Sequence, residues 1–474
     1  MKKKTNEKRP GWFLSRRDFV KMGGAALFAG AASPKNVPAL RRGQKARPNI
    51  LLIITDQQHI DTIAAGGCPH VRTPALDSLK EQGLSFTQSY SSNPLCSPAR
   101  SSIFTGRTSS EAAVHANNLG IRPDIPNLGQ WLSQEADYEA LYAGKWHLPR
   151  TFTYDIPGFK VLNTGIGGLG YLCDTMTSRA CESYLRNRSR PKPFFMVASF
   201  LQPHDICEWL RLNTTDPGQL RYKELAPQLP ELPDNFQYDK NEPEAVKRTR
   251  QAGDPFKTGW SKQQWRYYRW SYNRHVEFVD AEIGRILQAL QDCGYAADTL
   301  IVFTADHGEG MAHHQMVRKN ILYDESVKVP LIFSWSGHVR ENQAETFHVA
   351  SGLDIMPTLC DFAGIKPPGN MRGRSLRPIL EGPVLSWGNT IVSEVAANTG
   401  RMVRTPRYKY IAYKNNSVEQ LFDMNDDPGE TKNLATGSQY ASTLAHHREI
   451  LRDWESRLDV PEKVPNTDAW WYKQ

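Results

Sequence analysis

Four apolar runs scattered along the chain restrict its fold more than any other feature. Asn49 to Thr55, Tyr138 to Ala143, Phe194 to Phe200 and Thr299 to Thr304 are each too short for an ordinary helix. None alternates strictly between apolar and polar residues. Continuous runs of this length read as strands covered on both faces, the habit of a mostly parallel sheet with helices above and below. Each run stops at polar residues: Asp56-Gln57, then Lys145-Trp146-His147, then His204-Asp205, then Asp306-His307-Gly308-Glu309. Ligands in such sheets collect beyond the carboxyl ends of the strands. Asp56, Gln57, Lys145, His147, His204, Asp306 and His307 are therefore candidate site residues. Lys145 and His147 stand two apart, which on an extended segment turns both to one face.

Between the runs lie helix signals. Thr73-Pro74 predicts a helix start, with Thr73 as its cap and Pro74 at the first position. Leu128 begins an amphipathic helix. Val276, Val279, Ile283, Ile286, Leu287 and Leu290 recur at helical spacing and predict a helix over 263–293, ended by Gly294. Trp265, Tyr267, Tyr268 and Trp270 at its start pack in the core or stack on sugar rings. Residues 210–260 are polar and proline-rich, and read as a long irregular excursion. Beyond about residue 380 the character changes to strand–turn–strand patterns around Met402–Ile411 and Gln420–Asp423, then a final helix over 437–458.

One stretch carries a nucleophile: Asn93-Pro94-Leu95-Cys96-Ser97-Pro98-Ala99-Arg100, followed by Thr105-Gly106. The prolines oppose helix locally, so Cys96 falls at or just before a helix N-terminus, on what reads as an accessible turn. Free N–H groups there favour negative charge, and Arg100 adds a cation. Cys-x-Pro-x-Arg with Thr-Gly resembles the signature of the type I sulfatases, although Ala99 stands where many members have serine. Lys145-x-His147, Asp306-His307-Gly308, the Lys319–Tyr323 spacing and Gly373-Arg374-Ser375 follow in the family's order, so the resemblance covers roughly residues 47–435.

The resemblance implies an alkaline-phosphatase-like α/β fold: a central mostly parallel sheet with helices on both faces, and a smaller C-terminal antiparallel sheet with a helix. It implies a catalytic domain over 47–380 and a C-terminal subdomain over 381–474. It implies that Cys96 is oxidised to formylglycine (3-oxoalanine) by a formylglycine-generating or anaerobic sulfatase-maturating enzyme, and that the hydrated aldehyde is the nucleophile. One divalent cation, calcium, is implied on Asp56, Gln57, residue 96, Asp306 and His307, the last standing where many members have asparagine. Arg100, Lys145 and Lys319 would face the sulfate oxygens, His204 or Lys319 would protonate the leaving alcohol, and His147 would act as base. Asp205, Glu208 and Trp209 are candidate sugar-reading residues, with helix capping and core packing the alternative for Asp205 and Trp209. His313 and His314 reach the substrate or cap their loop. The expected reaction is hydrolysis of sulfate esters on a sulfated carbohydrate. Two competing readings are a phosphonate monoester hydrolase or phosphodiesterase of the same superfamily, and a non-catalytic binder of sulfated glycans.

Charge separates the leader from the body. The chain of 474 residues carries a net +8, but residues 1–47 hold 13 Lys/Arg and 2 Asp/Glu, a surplus of 11. The remainder is therefore 8 − 11 = −3, which argues against nucleic-acid binding by the folded body. Ser15-Arg16-Arg17-Asp18-Phe19-Val20-Lys21, followed by a Gly/Ala-rich apolar run, reads as a twin-arginine export signal within 1–46. That predicts a partner in the twin-arginine machinery and a periplasmic or secreted protein. The seven cysteines form no metal-binding CxxC array; Cys173 and Cys181 are close enough in sequence to pair.

Overall fold

The computed structural model describes residues 47–163, 168–189, 192–213, 223–384, 386–395 and 399–461. The expected export signal, 1–46, lies outside the described residues.

All four apolar runs become neighbouring strands of one eight-stranded sheet. Its order is Lys160–Asn163, Glu139–Gly144, Phe194–Pro203, Asn49–Asp56, Thr299–Ala305, Leu331–Ser334, Gly83–Phe86 and Gln343–Glu345. Leu331–Ser334 runs against both of its neighbours; every other pairing is parallel. Register sets Ile50 beside Phe195 and Leu300, and Ile54 beside Ser199 and Thr304, so the carboxyl ends of the central strands come level with one another.

Alternation explains why these strands are apolar throughout. Ile50, Leu52 and Ile54 point to one face, packed by Ile103 and Phe104 and by Ile355, Met356 and Leu359. Leu51 and Ile53 point to the other, packed by Leu76, Leu79, Val279, Ile283 and Ile286. Every residue from Ile50 to Ile54 is wholly buried, and each such side chain contributes about 1.5–3 kcal/mol.

The long helix spans Lys262–Asp292, and Ser261 and Gln264 close a capping box at its start. Its C-terminal half packs on the sheet, whereas Trp265, Tyr268, Tyr272 and Val276 enter a separate cluster beside the candidate site. Trp265 and Tyr268 are thus core residues, and Tyr267 stacks on Trp270. Thr73 does not cap the Pro74–Glu81 helix. Its hydroxyl donates to Asp77 and accepts from the Ala64 N–H, while Asp280 takes the helix N–H groups of Ala75 and Leu76 at 3.1 and 2.9 Å. The expected irregular excursion contains helices at Ile206–Asn213, Glu244–Ala252 and Asp254–Thr258, whose polar faces hid their period; 214–222 lie outside the described residues. No disulfide joins Cys173 and Cys181. Eight residues apart on one helix, they are separated by about 12 Å, too far to bridge.

The C-terminal antiparallel sheet runs Ile391–Val395, Gly400–Arg404, Tyr408–Tyr413, Gln420–Asp423. Leu444 and Leu451 of the Ala441–Ser456 helix pack on one face. The other face meets Tyr90, Leu322, Tyr323 and Val327 of the large sheet's loops. Its first strand is stitched to the segment just before Cys96: Glu394 N–H donates to Ser92 O at 2.8 Å, and the Ser393 hydroxyl to Ser91 O at 2.7 Å. The Glu394 carboxylate accepts from Ser109 Oγ and Ser110 N. Deeper in this contact, Lys409 is fully buried between Asp324 and Glu430, at 2.7 Å from each.

Candidate active site

Cys96 is the first residue of the Cys96–Thr105 helix, entered from an extended Leu95. It is 1% exposed, so the accessible turn expected from the prolines is sealed by the surrounding loops. Its sulfur lies 3.7 Å from Asp56 Oδ1, 3.2 Å from His307 Nε2 and 3.4 Å from Lys319 Nζ. One ligand atom from each of Asp56, Cys96, Asp306 and His307 lies within 4.8 Å of all the others. The ends of two parallel strands and one helix N-terminus thereby converge on one point.

The donor set fits a cation. His307 Nδ1 sits 2.9 Å from the Gly308 carbonyl, which only accepts, so Nδ1 carries a proton and Nε2 is the ring nitrogen that faces the cluster. Burial lowers the imidazole's pKa but Asp306 outweighs it and raises it, so Nε2 becomes a ligand when a cation displaces its proton. Two carboxylates supply hard oxygens, the preference of calcium. Gln57 is adjacent but held differently: its N–H donates to Asp306 Oδ1 at 3.0 Å, and its side-chain amide joins Lys319 and Glu309.

Arg100 departs from its expected role. Nε donates to Asp306 at 2.9 Å, Nη2 to Asp56 at 3.2 Å, and Nη1 to Lys145 O at 2.9 Å and Ser199 Oγ at 2.8 Å. All three nitrogens are engaged and the residue is fully buried, so it organises the two carboxylates rather than reaching toward a sulfate. Gly144 makes this possible. Its φ is +96°, and an added Cβ would fall 1.9 Å from Ser199 O, to which Lys145 N–H donates. Lys145 Nζ pairs with Asp56.

The cations decide the charge states. Burial alone would raise the Asp56 pKa, but Lys145, Lys319 and Arg100 hold it well below the usual carboxylate range. Burial and Asp56 push the Cys96 thiol up, yet Lys145, Lys319 and His307 outweigh them and hold it well below its ordinary value. Burial and Asp56 raise Asp306 to about 6. Burial and Lys319 press His204 down to about 3. His147 is lowered by burial and by Lys145. Its Nε2 meets Asn118 Oδ1 at 2.9 Å, which places the proton there and leaves Nδ1 bare, buried and without a hydrogen bond.

The expected sugar-reading residues go elsewhere. Asp205 is buried, accepts from Gly170 N at 2.7 Å and from Gln202 Nε2 at 2.8 Å, and so ties the Gly170–Asn187 helix to the strand end; this is the capping alternative. Trp209 packs edge-on against Trp260 and Tyr267. Glu208 pairs with Arg211 on the surface. His313 donates to Asn235 Oδ1 at 2.6 Å and stacks on His59; His314 is buried against Tyr323. Their contacts serve the loop. Reading the sequence missed Asn117 and Asn118, which hold Ser97 and His147. It also missed Glu309 and Tyr268. Glu309 directly follows Asp306-His307-Gly308, and that adjacency was the signal available.

Comparison with known proteins sets the chain among sulfatases. The sulfatase family pattern matches residues 48–365, and that of the N-sulphoglucosamine sulphohydrolase C-terminal region matches 312–457. A Delta 4,5-hexuronate-2-O-sulfatase of Bacteroides thetaiotaomicron is 33% identical over 460 residues, covering 89% of this chain and 92% of its own. An N-acetylglucosamine-6-O-sulfatase of the same organism is 25% identical, covering 91% of this chain and 89% of its own. Among solved structures, a 2-O GAG sulfatase superposes with TM-score 0.78 at 32% identity, covering 87% of this chain and 92% of that one. A phosphonate monoester hydrolase of Agrobacterium radiobacter, at 24% identity and TM-score 0.71 with 87% and 96% coverage, shares the fold. With Cys96, Asp56, Asp306, Lys145 and Lys319 all within the matched span, the chain belongs to the sulfatase family and is a sulfuric ester hydrolase.

Proposed function

We propose that this chain hydrolyses sulfate esters of a sulfated carbohydrate, using formylglycine made from Cys96 and one bound calcium ion. The observation that carries the reading is the convergence of Cys96 Sγ with Asp56, Asp306 and His307, flanked by Lys319 and Lys145. Asp56, Asp306, His307 and residue 96 would hold the cation, with the Gln57 oxygen beside them. When bound, the cation lowers the pKa of a hydroxyl at position 96 and offsets charge on sulfate. Lys319 and Lys145 supply ammonium groups to oxygens that gain charge in the transition state. His147, neutral and with Nδ1 bare, accepts a proton from position 96. His204 is held neutral, whereas Lys319 is held charged because Cys96 and other neighbouring acidic groups outweigh burial. Lys319 is therefore the better-placed acid for the leaving alcohol.

The leader supports export by the twin-arginine route to the periplasm or beyond, after cytoplasmic maturation by a formylglycine-generating or anaerobic maturating enzyme. No helix of the described residues is long and apolar enough to cross a membrane. The test is a panel of sulfated mono- and disaccharides, beginning with 2-O-sulfated unsaturated hexuronates because of the 33% identical relative, run beside an aryl phosphodiester. Sulfate release is expected. Faster phosphodiester cleavage would favour a phosphodiesterase instead, and no turnover with cysteine intact at position 96 by mass spectrometry would favour a glycan-binding protein.

A further inference from the structure

Glu309 is wholly buried yet makes no ion pair among the described residues. Its carboxylate accepts from Gln57 Nε2, from the Tyr268 hydroxyl and from the Arg318 N–H. On its other side the Gln57 amide meets Lys319 Nζ, which donates to Gln57 Oε1. A carboxylate only accepts and an ammonium only donates. Wedged between them, the Gln57 amide has one orientation: NH2 toward Glu309, oxygen toward Lys319. Lys319 then stands 3.4 Å from Cys96 Sγ. The backbone of Gln57 is fixed as well. It adopts φ +68°, an uncommon state for a non-glycine residue, with its carbonyl accepting from Tyr272 and its N–H held by Asp306. Tyr268 and Tyr272, one turn apart on the Lys262–Asp292 helix, thus secure the side chain and the main chain of the same residue.

We infer that Glu309, braced by Tyr268, is a positioning residue: it fixes the Gln57 amide so that its oxygen faces Lys319, and so holds the Lys319 ammonium beside position 96 and the cation site. The kinetic half of this inference rests on the sulfatase reading above. The test is a double-mutant cycle of Glu309→Gln and Gln57→Ala in the matured protein, read as kcat/KM on a sulfated substrate and as calcium affinity by titration calorimetry. Glu309→Gln keeps the shape but offers Gln57 both a donor and an acceptor, so the amide loses its single orientation. Each single variant should lose about tenfold in both readouts, the scale of removing an outer partner of a metal site. The double variant should lose no more than Gln57→Ala alone. Additive losses, or a Glu309→Gln protein that matches the wild type, would overturn the inference. If Glu309→Gln fails to fold, Tyr268→Phe removes one brace with the ring retained; a smaller loss that vanishes in the Gln57→Ala background is expected, and an unchanged loss there overturns the role. Should the wild type hydrolyse no sulfate ester, the functional reading fails by itself, and the calcium cycle still decides the role of Glu309.

Discussion

Arg100→Lys separates two roles that one cation can play. In the structure the guanidinium makes four hydrogen bonds at 2.8–3.2 Å, reaching Asp306, Asp56, Ser199 and the Lys145 carbonyl at once. A lysine keeps the charge but has only three donors, all on one atom, for four acceptors that the guanidinium meets from three separate nitrogens. At least one buried carboxylate oxygen is then left unpaired, at about 1–3 kcal/mol, and breaking a buried ion pair outright costs about 3–5 kcal/mol. The expected loss of unfolding free energy is therefore about 3–5 kcal/mol, measured by urea denaturation at neutral pH. Calcium affinity, measured by calorimetry, should fall about 10–100-fold because Asp56 and Asp306 lose their shared brace. If Arg100 instead touched sulfate, lysine would partly replace it. A variant with wild-type stability and calcium affinity but a raised KM for sulfate esters would refute the organising role.

Other expectations are simpler. Cys96→Ala should abolish turnover while leaving the circular dichroism spectrum unchanged; retained sulfatase activity would contradict the mechanism. His147 must be deprotonated to act as base, and burial and Lys145 lower its pKa, so kcat/KM should fall with acid only below the ordinary imidazole value of about 6.5. An acid limb at or above that value would contradict the assignment. Asp205→Ala should cost stability, about 1–3 kcal/mol for the abandoned Gly170 N–H, with equal effects on aryl and sugar sulfates; a loss confined to the sugar would restore its substrate role. Replacing Arg16 and Arg17 together by lysine should retain the protein in the cytoplasm, measured by fractionation, and unchanged export would exclude the twin-arginine route.

The sheet was legible because burial on both faces leaves a plain mark in sequence: Ile50 to Ile54 and Leu300 to Phe303 contain no polar residue. The candidate site was legible where chemistry sits directly beyond such a run, as at Asp56 and Asp306. What each side chain does there was less so, because it depends on partners distant in sequence. Arg100 looked like a free cation until Asp56, Lys145, Ser199 and Asp306 were brought around it. Asp205 looked like a sugar contact because nothing in the sequence puts the Gly170 N–H beside it. The helices between 206 and 258 were hidden by short length and polar faces. Tyr268 and Tyr272 looked like core aromatics, and their rings are; only their hydroxyls reach Glu309 and Gln57.

The stitching of the C-terminal sheet bears on the order of events during synthesis. Ser91 and Ser92, just upstream of Cys96, take hydrogen bonds from Ser393 and Glu394, 302 residues later in the chain. While the ribosome is still making the intervening segments, those contacts do not exist, and the lysine and histidine that enclose the cysteine from 307 and 319 are also missing. Once they are in place the thiol is enclosed. If Cys96 is oxidised as proposed, the oxidising enzyme would have to meet it as an extended, emerging segment, and the time available would end when the last sheet docks. A variant that folds its first three hundred residues faster would shorten that interval and leave a larger share of the product unoxidised.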